Sequence, residues 1–279
     1  MLQYKRGDTM KFKKLEDLTI SDNFLFQKVM QDGEICKEFI EKLLNLKIKS
    51  VTYTETEKTI SLSNKSKGIR LDVYVETNDG RIIDIEMQTS KENQDFGKRT
   101  RYYQGLIDLN TLNKGESYKK LNKSYIIFVC TFDPFEGSRL IYTFRNKCLE
   151  EPELELKDEA TKIFLNATGR LGEINSDIKA FLRYVNSGKV KGDFTSRIDE
   201  KLKELKTREE IGVEYMTLEL ILQDVKDEGY DKGIFEAELA NIKRLIKKMN
   251  MTLEEAMDFS DIPEEEKPKY ISALEEENN

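Results

Sequence analysis

Apolar and polar residues alternate along two neighbouring stretches of the chain, and this alternation predicts a β-hairpin. Apolar residues occupy every second position from 69 to 75 and again from 83 to 87, a period of two that is typical of strands. The intervening residues 78–80, Asn-Asp-Gly, predict a three-residue turn with Gly80 in the left-handed conformation. A two-residue turn would shift the pairing by one residue and mix the apolar and polar faces, so we prefer the first register.

The preferred register places two carboxylates opposite each other. Thr77 pairs with Arg81, and Asp72 therefore lies opposite Glu86. Opposed residues have Cβ atoms about 5 Å apart, where two like charges are destabilising unless a group lies between them. Mg²⁺ binds one or two carboxylates and leaves positions for water and phosphate, so the pair is a candidate metal site for phosphodiester chemistry. The alternative is a solvated outer face, on which charged residues are ordinary and Arg70 reaches Glu86 diagonally.

Patterns of longer period on either side of the hairpin predict the other elements of an α/β domain. Apolar residues at helical spacing predict a helix that is capped by Ser21 and continues past Gly33 to residue 44, and another helix over 92–113. The predicted order through residue 132 is α, β, β, β, α, β. The remaining predicted elements are strands at 51–58, 125–132, 140–144 and 161–166 and a helix at 176–186.

The C-terminal part of the chain changes to long, charged helical stretches. Helices are predicted at 197–206 and 208–249, the second interrupted at Gly229 and Gly233. A capping-box signature at Thr252 begins a further short helix. We interpret this part as a helical accessory or oligomerisation region. A helix-turn-helix DNA reader is the alternative, which the acidic residues that follow disfavour.

The amino-acid composition excludes several classes of catalytic and metal-binding site. The chain has no histidine, which excludes serine or cysteine hydrolysis through an imidazole base and a histidine-ligated zinc centre. Cys36, Cys130 and Cys148 are odd in number and widely spaced, which favours reduced thiols over disulfides. No apolar run is long enough to span a bilayer, and residues 1–14 lack the apolar core of a signal peptide. We expect a cytoplasmic protein with no membrane contact and no organic cofactor.

Charge is unevenly distributed along the chain. The formal net charge is -7, yet residues 91–123 carry eight lysines and arginines against four acidic residues. A local basic surface of this kind is compatible with phosphate contacts even in an acidic protein. The alternative is a solvated helix face followed by a lysine-rich loop.

The hairpin and its flanking segments together resemble the Rpn family of recombination-promoting nucleases and transposases, which belongs to the PD-(D/E)XK nuclease superfamily. This resemblance implies a restriction-endonuclease-like α/β core, αβββαβ with a mixed sheet flanked by helices, and a helical C-terminal extension. We therefore predict a nuclease-like domain over residues 1–191 and a helical region over 192–279. The likeness spans about residues 17–190 and is carried by residues 68–75 and 85–88, by Asp22, Phe24, Phe26, Lys28 and Val29, by Arg99, Tyr102, Tyr103, Gly115 and Tyr118, and by the strand at 125–132.

The resemblance also implies the residues of a metal site. Asp72 and Glu86 would be ligands of Mg²⁺, with Mn²⁺ as a substitute, and the Met87 backbone carbonyl would join them. Gln88 stands where the superfamily usually has a lysine. Its amide can orient a water molecule by hydrogen bonds, but it cannot supply a positive charge.

Arg99 and Tyr103 are four residues apart on the helix predicted after the hairpin, so they share one face. In the family they would contact a phosphate, a catalytic carboxylate or the scissile strand. The alternative is a structural pair, with Arg99 bonded to Glu86 or Asp84 and a half-buried tyrosine. Further candidates are Lys91, Lys98 and Arg101 for DNA contact, and Glu38, Glu41 and Asp84 for an additional carboxylate.

Two functions from different classes follow. The first is a metal-dependent endonuclease acting on double-stranded DNA in recombination or transposition, with a homodimer as one way to cut both strands. The second is a catalytically silent module that keeps the nuclease fold for DNA binding or assembly within a mobile element. Retention of both Asp72 and Glu86 favours the first function, because a silent fold has no need to oppose two like charges.

Overall fold

The computed structural model describes residues 11–60, 68–92 and 95–277. The signal-peptide interpretation concerns residues 1–14, of which only 11–14 are described. Positions 93 and 94, near the start of the helix predicted at 92–113, also lie outside the described residues. Contacts divide the chain into one compact unit over Lys13–Gly212 and a second from Val213 onward. No helix among the described residues has the length and apolar character needed to cross a bilayer.

The first unit is built on one six-stranded mixed sheet with the strand order β1-β2-β3-β4-β6-β5. β2 pairs antiparallel with β1 and β3, while β3, β4 and β6 run parallel to one another, and β5 closes the sheet as an antiparallel edge. The strands are β1 (Val51–Ile60), β2 (Ile69–Thr77), β3 (Ile82–Gln88), β4 (Ser124–Cys130), β5 (Ile141–Phe144) and β6 (Ala160–Asn166).

The helices described in this unit either contact the sheet directly or pack on the helices that do. α1 and α2 contact β1 to β3, α3 contacts β1 and β4, and α4 and α5 pack on α1 and α2. They are α1 (Asn23–Met30), α2 (Gly33–Leu44), α3 (Phe96–Thr111), α4 (Ser176–Ser187) and α5 (Asp193–Thr207). The restriction-endonuclease-like α/β core is confirmed, and its elements follow the predicted order α, β, β, β, α, β except that the first predicted helix is divided into α1 and α2.

The face of the sheet under α3 has an aromatic core. Phe96 and Tyr103 of α3 pack with Phe128 of β4 and Phe164 of β6, and the rings of Phe128 and Phe164 stack with centroids 5.2 Å apart. Because side chains alternate along a strand, the even-numbered residues of β3 share this face with Ile82. This packing brings the first turn of α3 over the carboxylates of β3.

Three predicted details of the helices are wrong. The helix predicted to continue past Gly33 to residue 44 is two helices, because α1 ends at Met30 and the Asp32 side chain caps a new helix, α2. The N-cap of α1 is Asp22, and the Ser21 hydroxyl instead bonds to Thr19. Gly229 and Gly233 do not interrupt their helix, since α6 (Glu209–Met249) is continuous through both. An isolated glycine lowers helix stability by only about 1 kcal/mol, which a helix of 41 residues tolerates.

The second unit has its own apolar core between α6 and two short helices, α7 (Leu253–Phe259) and α8 (Lys267–Glu277). Leu239 and Ile242 of α6 pack there with Met257 and Tyr270. The capping box at Thr252 is confirmed. The domain boundary at 191/192 stays a prediction, although contacts assign α5 to the first unit, where it buries Phe194, Ile198, Leu202 and Leu205.

Candidate active site

The hairpin of β2 and β3 has the register that its alternation predicts. Val73 lies opposite Ile85, and the Thr77 amide donates to the Arg81 carbonyl at 3.0 Å. Gly80 has a φ of +79°, which is the left-handed conformation expected at the end of a three-residue turn. The paired register ends at Val73 and Ile85, and Asp72 and Glu86 are the next residues of the two strands.

Asp72 and Glu86 each accept a hydrogen bond from a backbone amide of the other strand. The Asp72 amide donates to Glu86 Oε1 at 3.2 Å, and the Met87 amide donates to Asp72 Oδ2 at 3.3 Å. Asp72 is 8% exposed and Glu86 is 2% exposed. The alternative of a solvated outer face is therefore wrong for this pair.

The other oxygen of each carboxylate meets a side chain from a helix. Gln27 of α1 donates from Nε2 to Asp72 Oδ1 at 2.9 Å, and Arg99 of α3 donates from Nη2 to Glu86 Oε2 at 2.5 Å. The sequence analysis missed Gln27. Its signal is a glutamine on the otherwise apolar buried face of α1, between Phe26 and Val29.

Arg99 also connects Gln88 and Tyr103. Nη1 donates to Gln88 Oε1 at 2.7 Å, and Nε donates to the Tyr103 hydroxyl at 2.9 Å. Gln88 in turn donates from Nε2 to the Ser90 carbonyl at 2.8 Å. The predicted shared face of Arg99 and Tyr103 is confirmed, and the bond of Arg99 to Glu86 fits both interpretations of the pair, since Glu86 is the candidate catalytic carboxylate.

Asp84 is a third buried carboxylate, and as an even-numbered residue of β3 it lies on the face under α3. It lies opposite Tyr74 of β2 and is 0% exposed. Within the part of the chain that the structure describes, neither of its carboxylate oxygens has a hydrogen-bond partner. An unpartnered buried polar group of this kind is destabilising and calls for a functional or structural explanation.

The three carboxylates are electrostatically coupled. Burial raises the pKa of Asp72 to about 6, although hydrogen bonds from Met87 and Gln27 oppose this shift. Burial and then the charge of Asp72 raise the pKa of Glu86 to about 8, against the opposing effect of Arg99. Burial and the charges of Glu86 and Asp72 raise the pKa of Asp84 well above its ordinary value. Additional positive charge at this site would therefore be stabilising.

The basic residues predicted for DNA contact are accessible. Lys98 is 77% exposed and pairs with Asp95 at 3.0 Å, and Arg101 is exposed on α3. Lys91 donates to Glu136 at 2.5 Å on the surface. The structure therefore leaves all three available at the protein surface and brings none of them into a hydrogen bond with Asp72 or Glu86.

Glu38 and Glu41 have partners elsewhere. Glu38 pairs with Lys42 of its own helix at 3.3 Å and with Arg197 of α5. Glu41 accepts a hydrogen bond of 2.8 Å from the Ile48 amide. These contacts serve the packing of α2, and the structure does not join either residue to the Asp72–Glu86 pair.

The oxygen donors that remain for a cation are the carboxylates of Asp72 and Glu86 and the backbone of β3. Among the described residues 11–60, 68–92 and 95–277, no group of three or more histidine, cysteine, aspartate or glutamate side chains is arranged to hold a metal ion. Two carboxylates with open positions still match the way in which Mg²⁺ binds beside phosphates.

Comparison with known proteins agrees with this geometry. A model of the family described as PD-(D/E)XK nuclease family transposase matches residues 23–169, which is more than half of the 279 residues. No curated protein and no solved structure matches the chain. The matched residues include α1 through β6 and therefore contain Gln27, Asp72, Glu86 and Arg99. The chain belongs to the PD-(D/E)XK nuclease family of transposases.

Proposed function

We propose that the chain is a metal-dependent endonuclease that hydrolyses phosphodiester bonds of double-stranded DNA in recombination or transposition. The observation that carries this proposal is the pair of buried carboxylates, Asp72 and Glu86, opposed across one hairpin and reached from outside by Arg99. A face built only for packing would place apolar residues at these positions. The family match supports the same chemistry.

A divalent cation fits the donor set. Asp72 and Glu86 supply hard oxygen donors of the kind that Mg²⁺ prefers, and Mn²⁺ accepts the same donors. Burial raises the pKa of both carboxyls, and the charge of Asp72 raises that of Glu86 further against the opposing effect of Arg99. Burial and the charge of Glu86 also raise the pKa of Asp84, the next residue on the same face of β3, so a cation at this site would favour the ionised form of all three carboxyls.

Different residues of the chain would hold the cation, orient its ligands and contact the DNA. Mg²⁺, when bound, supplies a water of lowered pKa and polarises the phosphate. Asp72 and Glu86 would hold it, the Met87 carbonyl being a further candidate donor, while Gln27 keeps the Asp72 carboxylate oriented through Oδ1. Lys98 and Arg101, both exposed on α3, would contact the DNA backbone.

A second candidate function has one observation in its favour. Arg99 already gives Glu86 a positive partner, so the fold has a counter-charge without a cation. This arrangement suits a catalytically silent module that keeps the nuclease fold for DNA binding or assembly within a mobile element. Its prediction is DNA binding that is independent of divalent cations.

Cleavage of supercoiled plasmid separates the two functions. We expect the purified protein to cut with Mg²⁺, to stop in EDTA, and to lose at least about a hundredfold in rate as Glu86→Gln, since that variant removes a ligand charge. Glu173→Gln, the same change at an exposed position, is the matched control and should cut normally. An intact plasmid in every reaction, with DNA still bound by the folded protein, would favour the silent module.

Two further aspects of the function are proposals. A homodimer would provide two sites for the two strands of a duplex, and sedimentation velocity of the protein with and without DNA tests it. The cytoplasmic location that the sequence predicts stays a prediction.

A further inference from the structure

Gln88 is neutral, but it positions a positive charge. Its amide nitrogen donates to the Ser90 carbonyl at 2.8 Å, and its amide oxygen accepts from Arg99 Nη1 at 2.7 Å. The first contact orients the amide, so that the oxygen rather than the nitrogen faces Arg99. Gln88 is therefore suited to hold the guanidinium group of Arg99 beside Glu86.

Arg99 covers one oxygen of a carboxylate that solvent hardly reaches. Nη2 lies 2.5 Å from Glu86 Oε2, and the Arg99 side chain is 26% exposed whereas that of Glu86 is 2% exposed. The guanidinium carbon also lies 5.0 Å from the centroid of the Phe128 ring. Arg99 is thus accessible to a ligand from solvent while its carboxylate partner is not.

Two ligands of opposite charge would each bind a different half of this ion pair. A divalent cation requires the oxygens of Glu86, and the contact with Arg99 neutralises one of them. A DNA phosphate suits the planar fork of a guanidinium group, which binds phosphate and carboxylate in the same bidentate geometry. Each ligand would therefore release the half that the other ligand needs.

We propose that Arg99 is a positioning residue that couples DNA binding to cation binding, which rests on the proposed nuclease function. In the protein without DNA, Arg99 pairs with Glu86 and weakens cation binding. When a DNA phosphate binds, Arg99 transfers from Glu86 to that phosphate, and Glu86 Oε2 becomes available to the cation. By thermodynamic linkage, the cation then raises the affinity for DNA by the same factor.

The first test measures Ca²⁺ binding without DNA by isothermal titration calorimetry. Ca²⁺ is a hard cation that takes oxygen ligands. We expect Arg99→Gln to bind it roughly tenfold more tightly than the wild type, because a charge-assisted hydrogen bond to Glu86 no longer competes. Arg183→Gln, an exposed arginine on α4, should match the wild type. A purely structural role for Arg99 predicts weaker binding in Arg99→Gln instead.

A milder variant tests the same proposal if Arg99→Gln does not fold. Tyr103→Phe removes only the hydroxyl that accepts from Arg99 Nε, so it should loosen Arg99 and raise Ca²⁺ affinity by a smaller factor. Circular dichroism establishes that each variant is folded before titration.

The second test measures duplex DNA affinity by fluorescence anisotropy with and without Ca²⁺. We expect Ca²⁺ to raise the affinity of the wild type roughly tenfold and that of Arg99→Gln much less. If the wild type binds Ca²⁺ but Arg99→Gln binds it equally or more weakly, the coupling by Arg99 is overturned and the nuclease proposal stands. If the wild type binds no divalent cation with or without DNA, the proposed function itself is overturned.

Discussion

At the scale of single residues, the candidate active site concentrates negative charge where water cannot reach it. Asp84 and Glu86 lie on the face under α3, Asp72 is hydrogen-bonded to residues of the neighbouring strand, and Arg99 pairs with Glu86. Burial disfavours the charged form of each carboxyl and raises its pKa. The protein is therefore less stable than its packing alone would make it, as is expected of a site that binds a charged ligand.

Asp84 should be the most destabilising of the three carboxyls. Burial and the charges of Glu86 and Asp72 hold its pKa in the folded protein well above the ordinary 3.8, so as the pH rises the unfolded state releases its proton before the folded state does. Stability then falls as the pH rises above about 4. We predict that Asp84→Asn raises the free energy of unfolding by about 1–3 kcal/mol at pH 7 and by less at pH 4, measured by urea denaturation in EDTA.

The comparison between the two pH values is the control for this prediction. A general packing effect of the new amide would change stability equally at pH 4 and pH 7. An equal change at both values, or a variant less stable than the wild type at pH 7, would contradict the account of Asp84 as an unpartnered buried carboxyl.

At the scale of elements, the features that could be predicted are those that depend on residues close together in sequence. The period of two and the turn residues at 78–80 predict the hairpin register because both act between neighbours in sequence. Gln27 could not be found in this way, since its contact with Asp72 spans 45 positions and depends on how α1 docks. The wrong cap at Ser21 has a different cause, because the contact of its hydroxyl with Thr19 is local and replaces the expected capping bond.

The turn of the hairpin should tolerate little change. Gly80 has a φ of +79°, and a Cβ there would lie 3.4 Å from Asn122 Nδ2. We predict that Gly80→Ala lowers the free energy of unfolding by about 1–2 kcal/mol, since an L-residue is strained in this conformation. Urea denaturation of the purified variant measures the effect.

Gly105, in the middle of α3, is the matched control for Gly80. A Cβ there meets no atom within 4 Å, so Gly105→Ala should raise stability by about 0.5–1 kcal/mol through helix propensity. If Gly105→Ala lowers the free energy of unfolding, or if Gly80→Ala leaves it unchanged, the backbone conformation does not determine the effect of substitution at these positions.

At the scale of the whole molecule, the distribution of acidic residues singles out one site. The chain carries 53 aspartates and glutamates, and among the described residues the buried ones are Asp72, Asp84 and Glu86. Exposed carboxylates attract cations only weakly, because water and salt screen them. A specific cation site is therefore expected at the hairpin and not in the acidic C-terminal helices.

The most direct test of the central claim is the anomalous difference map of a crystal soaked in Mn²⁺. The account predicts a strong peak within about 2–2.5 Å of carboxylate oxygens of both Asp72 and Glu86, and its absence in crystals of Glu86→Gln. Peaks that lie only on exposed acidic residues, with Asp72 and Glu86 still bonded to Gln27 and Arg99 as they are without metal, would contradict it.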